Sequence, residues 1–168
     1  MPAPSLLKRT SPEPWRSLIA AIFTGNDPVE GAFLRESWSS VLLPGGLVLD
    51  DDHMSAFAET VRGEGDESVL ACAILPGFAF GDCYEVPLVE AAFEELLTET
   101  ELGQMDTAVF SRSGLWGLYA TPDMFGVFGA TSALMAKFVA LAGGPQELEK
   151  RFRLLMEENA IGSGPRGR

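Results

Sequence analysis

Histidine occurs once in the 168 residues, cysteine twice and lysine three times, and each scarcity closes off a class of function. With His53 alone, no site that needs two imidazoles can be built. Two cysteines without a CxxC spacing make neither a disulfide framework nor a four-thiolate metal site. Cys72 lies inside an apolar run and Cys83 in a turn, so two free thiols are expected, the first of them buried. A bond between them would require the fold to bring them together, and such bonds are rare where thiols are kept reduced. Few lysines and scattered arginines disfavour nucleic acid as a partner, because phosphate neutralisation needs a clustered basic surface.

Long apolar runs are missing too. The longest stretches, 18–23 and 132–142, fall far short of the roughly 20 residues of a membrane span. The segment 1–10 has no apolar run after its basic residues, so no cleaved secretory signal is expected. The expectation is a cytoplasmic protein with no membrane partner.

What the chain does contain is an ordinary core composition in a length that suits one domain. A domain of this size buries roughly 70% of its unfolded surface and needs neither metal nor disulfide to stay folded. No internal repeat or Pro/Gly/Ser linker divides it. A single domain over 1–168 is expected, its ordered core at about 11–159 between flexible termini, 1–10 and 160–168.

Capping and periodicity place the elements. Ser11 and Pro12 start a helix reaching Phe23, with Gly25 as its stop. Asp27, Pro28 and Glu30 read as the start of a second helix to about Ser39, with Phe33, Leu34 and Trp38 facing the core. After the turn at Pro44, Asp50 to Asp52 precede a short helix through Val61, anchored by Phe57. Ser68 to Leu75 is a central strand, followed by a loop from Pro76 to Asp82. Pro87 to Leu102 forms an acidic amphipathic helix with Val89, Phe93, Leu96 and Leu97 inward. A three-stranded meander spans 107–128. Thr131 caps a largely buried helix that Gly143 and Gly144 close, and Pro145 starts a last one with i,i+4 pairs Glu147–Arg151 and Glu149–Arg153. These elements predict an α+β fold with an antiparallel sheet of about four strands packed against five or six helices.

Charge is unevenly spread. Residues 36–111 hold sixteen of the 24 acidic residues and one of the twelve basic ones, Arg62. A field of that kind speeds encounter with a cationic partner and repels nucleic acid and anionic lipid. Solubility alone is the plainer reading of such acids, and a salt-adapted surface would spread them everywhere.

Candidate chemistry is sparse. Asp50, Asp52 and His53 invite a metal or hydrolase reading, but consecutive residues at a helix start point around the axis and the helix dipole already accounts for the acids. A Ser-His-Asp triad would have to use His53 and has no Gly-x-Ser-x-Gly elbow. The GxGxxG pattern at 162–167 follows no strand and opens no helix. No cofactor, catalytic residue or metal ligand is therefore assigned. Phe78 and Phe80, on a glycine-flanked loop, are either interface anchors or caps turned into the core.

Ser113-Gly114-Leu115-Trp116-Gly117-Leu118, then Pro122-Asp123-Met124-Phe125-Gly126-Val127-Phe128-Gly129 and a helix, resemble small stand-alone bacterial proteins of the toxin-immunity kind. The likeness covers Phe110 to Ala142. It implies stoichiometric inhibition of a toxin, commonly by an acidic face laid over a basic active site. The sequence thus predicts a non-enzymatic acidic binding protein for a basic partner, a toxin or effector, with Phe78, Phe80, Asp82, Glu85, Glu90, Glu94, Glu95 and Glu101 as its partner-binding residues. A secretion chaperone for an effector and a small carboxylate- or metal-dependent hydrolase are the alternatives.

Overall fold

The computed structural model describes residues 4–25, 31–47, 49, 51–122 and 125–162. Seven strands form one sheet: β1 (Lys8–Thr10), β2 (Ser39–Pro44), β3 (Ser68–Leu75), β4 (Ala79–Pro87), β5 (Thr107–Phe110), β6 (Trp116–Ala120) and β7 (Phe125–Ala130). Their order is β1-β4-β3-β5-β6-β7-β2, and every neighbouring pair is antiparallel. Among the described residues the α-helices are α1 (Arg16–Ile22), α2 (Asp51–Arg62), α3 (Glu90–Glu99), α4 (Ser132–Leu141) and α5 (Pro145–Gly162). The α+β class stands, but the sheet of about four strands is corrected to seven.

The sheet is buried on both faces. Residues alternate across a pleated strand, and in β3 Val69, Ala71 and Ala73 enter one core while Leu70 and Cys72 enter the other. That double burial is why 68–75 reads as an unbroken apolar run. On the first face α2, α3 and α4 meet the sheet around Phe57. Its ring lies edge-on to Trp116 at 5.1 Å, Phe128 at 5.7 Å and Phe93 at 6.4 Å. The second face is covered by α1 through Ile19 and Ile22, by Phe23, and by Phe33 and Trp38 from the connection before β2.

A glycine pair makes that second cover possible. Gly117 on β6 lies opposite Gly129 on β7, and the space where their side chains would stand is filled. A Cβ on Gly129 would come 2.5 Å from two ring carbons of Phe33, and one on Gly117 would come 2.9 Å from Ile22 and Phe23. Bare backbone here is a socket for rings from another layer.

Several expected elements change. Residues 26–30, with the start proposed at Asp27, Pro28 and Glu30, lie outside the described residues, as do Asp50, Asp123 and 163–168 with most of the GxGxxG pattern. The second helix does not extend to Ser39: 32–38 is not helical, Phe33 bridges to Phe23, and Ser39–Pro44 is an edge strand. Leu34 is exposed rather than core. The first helix opens as a 3-10 turn, Glu13–Trp15, with Ser11 Oγ accepting the Glu13 N–H. Only Pro76 to Phe78 form the turn after β3, because 79–82 already pair as β4. Residues 8–10, expected to be flexible, form β1, and α5 runs to Gly162.

Cys83 therefore lies in a strand, directly opposite Cys72, and the two fully buried sulfurs are joined in a disulfide. The expectation of free thiols is overturned, for the β3–β4 hairpin supplies the proximity that spacing alone did not reveal.

Replacing Gly129 by Ala should lower stability by about 1–3 kcal/mol, the usual cost of overpacking, as read by chemical denaturation. Gly31→Ala, which meets nothing within 4 Å, is the control and should stay near the parent.

Candidate functional site

The acidic corner is built by β4, α3 and the chain's own N-terminal segment. Pro87 ends β4, and α3 then runs with Ala92, Phe93 and Leu96 buried on the helix-covered core. Its other sides carry Glu90, Glu94 and Glu99 into solvent. A shallow depression there is lined by Ala91, Glu94, Glu95, Leu97, Thr98 and Glu99. Thr100 caps the following 3-10 turn by accepting the Leu102 N–H, which places Glu101 at the turn's exposed start. Val89 and Leu97, expected in the core, are 45% and 40% exposed: Val89 precedes the helix, which starts at Glu90 and not at Pro87, and Leu97 lies outside the buried face made by Ala92, Phe93 and Leu96.

The predicted site residues separate into three groups. Asp82, Glu85 and Glu95 are gripped by the N-terminal segment and its surroundings. Arg9 Nη2 lies 2.6 Å from Asp82 Oδ1, and Lys8 Nζ 3.8 Å from Glu85 Oε2. Glu85 also accepts the Ser68 hydroxyl at 2.8 Å and pairs with Arg112 at 3.0 Å. Glu95 accepts the Ser5 hydroxyl and, at 3.0 Å, the Leu6 N–H. The Ser68 hydroxyl, with Arg112 and Lys8 behind it, holds the Glu85 carboxyl below its ordinary value, and Ser5 with Leu6 does the same for Glu95.

Glu90, Glu94 and Glu101 make up the second group and, with Glu99, form no ion pair among the described residues. Glu67 is brought toward the same corner, since the Leu88 N–H donates to its carbonyl. Arg62, the one base of the acidic stretch, gives a hydrogen bond to the Leu88 carbonyl.

The third group is aromatic. Phe78 and Phe80 stack edge to face at 5.1 Å and pack, half-buried, against the second core, with Gly25 leaving room for the Phe78 ring. They are caps turned inward, and Phe78 is held at a left-handed φ of 55°. Trp116 and Tyr119 are likewise core residues, their polar atoms tied to Asp66 at 3.2 Å and Asp106 at 2.7 Å. Burial pushes the Asp66 carboxyl up, against the Trp116 N–H and Arg112.

Of the residues named for metal or hydrolytic chemistry, Asp50 lies outside the described residues, and Asp52 and His53 part company. His53 is fully buried, whereas Asp52 is exposed and paired with Arg151 at 2.7 Å. Among the described residues no group of three His, Cys, Asp or Glu side chains is placed to hold a metal, and no helix is long and apolar enough to cross a membrane. The sequence missed Ser5, Lys8, Arg9 and Arg112 as internal partners of the acids. Its only signal for them was a basic pair, Lys8-Arg9, ahead of an acidic chain. No protein-family model, curated protein or solved structure matches the chain.

Glu85 sets a pH dependence whose sign is fixed. A carboxyl held lower in the folded than in the unfolded state contributes stability above the ordinary carboxylate range and loses it as pH falls through the folded value. Asp66, raised by burial, acts in the opposite sense. Denaturation midpoints measured from neutral to acid pH should fall less steeply for Glu85→Gln than for the parent, and matching slopes would show that Glu85 contributes nothing.

Proposed function

We propose that this protein is a non-enzymatic binding protein that lays an acidic face over a basic surface of a partner protein, such as a toxin, in the manner of an immunity protein. One observation carries the reading: Glu90, Glu94, Glu99 and Glu101 are held outward by a helix anchored in the core, with no cation of the described chain paired to them. Exposed carboxylates left together repel one another and are best compensated by a cationic partner, which gains both encounter rate and orientation. Val89 and Leu97, half-exposed beside them, add apolar contact area of the sort that interface centres use. The likeness of the segment from Phe110 to Ala142 to immunity-type proteins points the same way.

The test is capture of the cationic partner on the immobilised protein at low and at high salt, with Glu90→Lys/Glu94→Lys beside the parent. Capture should weaken at high salt, and the double reversal should lower affinity by about tenfold or more. Capture that is indifferent to salt and to the reversal would remove the electrostatic account.

The compartment is a separate matter. Sequence points to the cytosol, while the Cys72–Cys83 bond supports a compartment where disulfides persist. Thiol titration of the denatured, unreduced protein isolated from its native compartment decides between them. No free thiol is expected, and two free thiols would contradict the bond.

A further inference from the structure

We propose that the outer edge of β4 is a strand-addition site for an extended basic segment of the partner protein, and that β1 occupies it in the free protein. This rests on the reading of the chain as an acidic binding protein and names how part of that binding is done.

The observations lie at one sheet edge. β1 is three residues long and pairs only with β4, matching Lys8 to Glu85, Arg9 to Tyr84 and Thr10 to Cys83. Its two basic side chains are 79% and 69% exposed, so their bonds to Glu85 and Asp82 are surface pairs of small net worth. Glu95 holds the approach to β1 through Ser5 and Leu6. The edge thus already receives an extended segment with adjacent basic residues, and the occupant displays the chemistry that fits.

The rest of the fold does not need β1 to stay where it is. The residues of β3 and β4 that build both cores, among them Val69, Leu70, Cys72, Cys83 and Val86, are fully or almost fully buried, whereas β1 supplies none and the segment before it touches the first core only through the partly buried Leu7. A short, exposed edge strand belongs to the part of a structure that opens at low cost. Once it leaves, β4 presents free backbone donors and acceptors beside Asp82, Glu85 and Glu95, the arrangement in which a foreign strand adds to a sheet.

The experiment uses the full chain and a labelled synthetic peptide spanning residues 4–11. Lys8→Glu/Arg9→Glu reverses the charges that hold β1 and should expose the edge. The peptide is expected to bind this variant about tenfold or more tighter than the parent and to lose that binding at high salt or when its own two basic residues are reversed. In the parent, β1 amides should exchange hydrogen far faster than those of β3. The proposal is overturned by β1 amides that exchange as slowly as β3, by a variant that fails to fold, or by a folded variant that takes the peptide no better than the parent. Exchange of β1 between two copies, seen as a dimer by light scattering, would also overturn it by assigning the edge to a second copy. None of these results touches the α3 carboxylates, whose role is read from the Glu90→Lys/Glu94→Lys variant instead.

Discussion

Burial of the sheet on both faces is the constraint from which the other features follow. A strand such as β3, with Val69 and Ala71 on one side and Leu70 and Cys72 on the other, has no solvent face to spare. Burying one large apolar side chain is worth about 1.5–3 kcal/mol, so a cover on each side is strongly favoured. α2 to α4 supply the first and α1 with Phe33 and Trp38 the second. The Gly117–Gly129 socket and the Cys72–Cys83 pair belong to the second layer, where the cover is thinner and must come close to the sheet.

With both faces closed, the surfaces left for recognition are sheet edges and the outer sides of helices. The acidic stretch of the sequence maps onto them in unequal parts. Where it runs along β4 the chain has provided its own cations, Lys8, Arg9 and Arg112. Along α3 the described residues provide none. Other acids serve the interior: Asp66 satisfies the Trp116 indole and Asp106 the Tyr119 hydroxyl. A count of net charge therefore overstates the face offered to a partner, and the uncompensated carboxylates of α3 and its following turn are the part that remains.

Much of this architecture was legible in the chain. β3, α2, α4, α5 and the meander carry strong local signals, either an apolar run, a helical period or turn glycines, and each lies within a few residues of its expected place. β1, β2 and β4 were not legible as strands. β1 is too short and too exposed to show a pattern. Ser39–Pro44 follows a helix-like start, and β4 mixes Phe80, Gly81, Asp82 and Tyr84 in a way that suggests a loop until β3 pairs with it. For the site, the acids and the solvent side of α3 could be read, but their internal partners could not. Arg9 and Asp82 are 73 residues apart and Ser5 and Glu95 are 90 apart, and no local pattern joins them. The aromatic loop was ambiguous because glycine next to phenylalanine fits an exposed anchor and an inward cap equally well.

The central claim is that the carboxylates of α3 and the turn after it act as one coherent anionic face. Two variants with the same loss of charge test it directly: Glu90→Gln/Glu94→Gln/Glu99→Gln/Glu101→Gln, and Glu13→Gln/Glu36→Gln/Glu149→Gln/Glu157→Gln, which removes dispersed acids. Elution from an anion exchanger reads the local field because the molecule binds by its most negative side. The first variant should elute at clearly lower salt than the second. Elution of both at the same salt would mean that only net charge matters and that no such face exists.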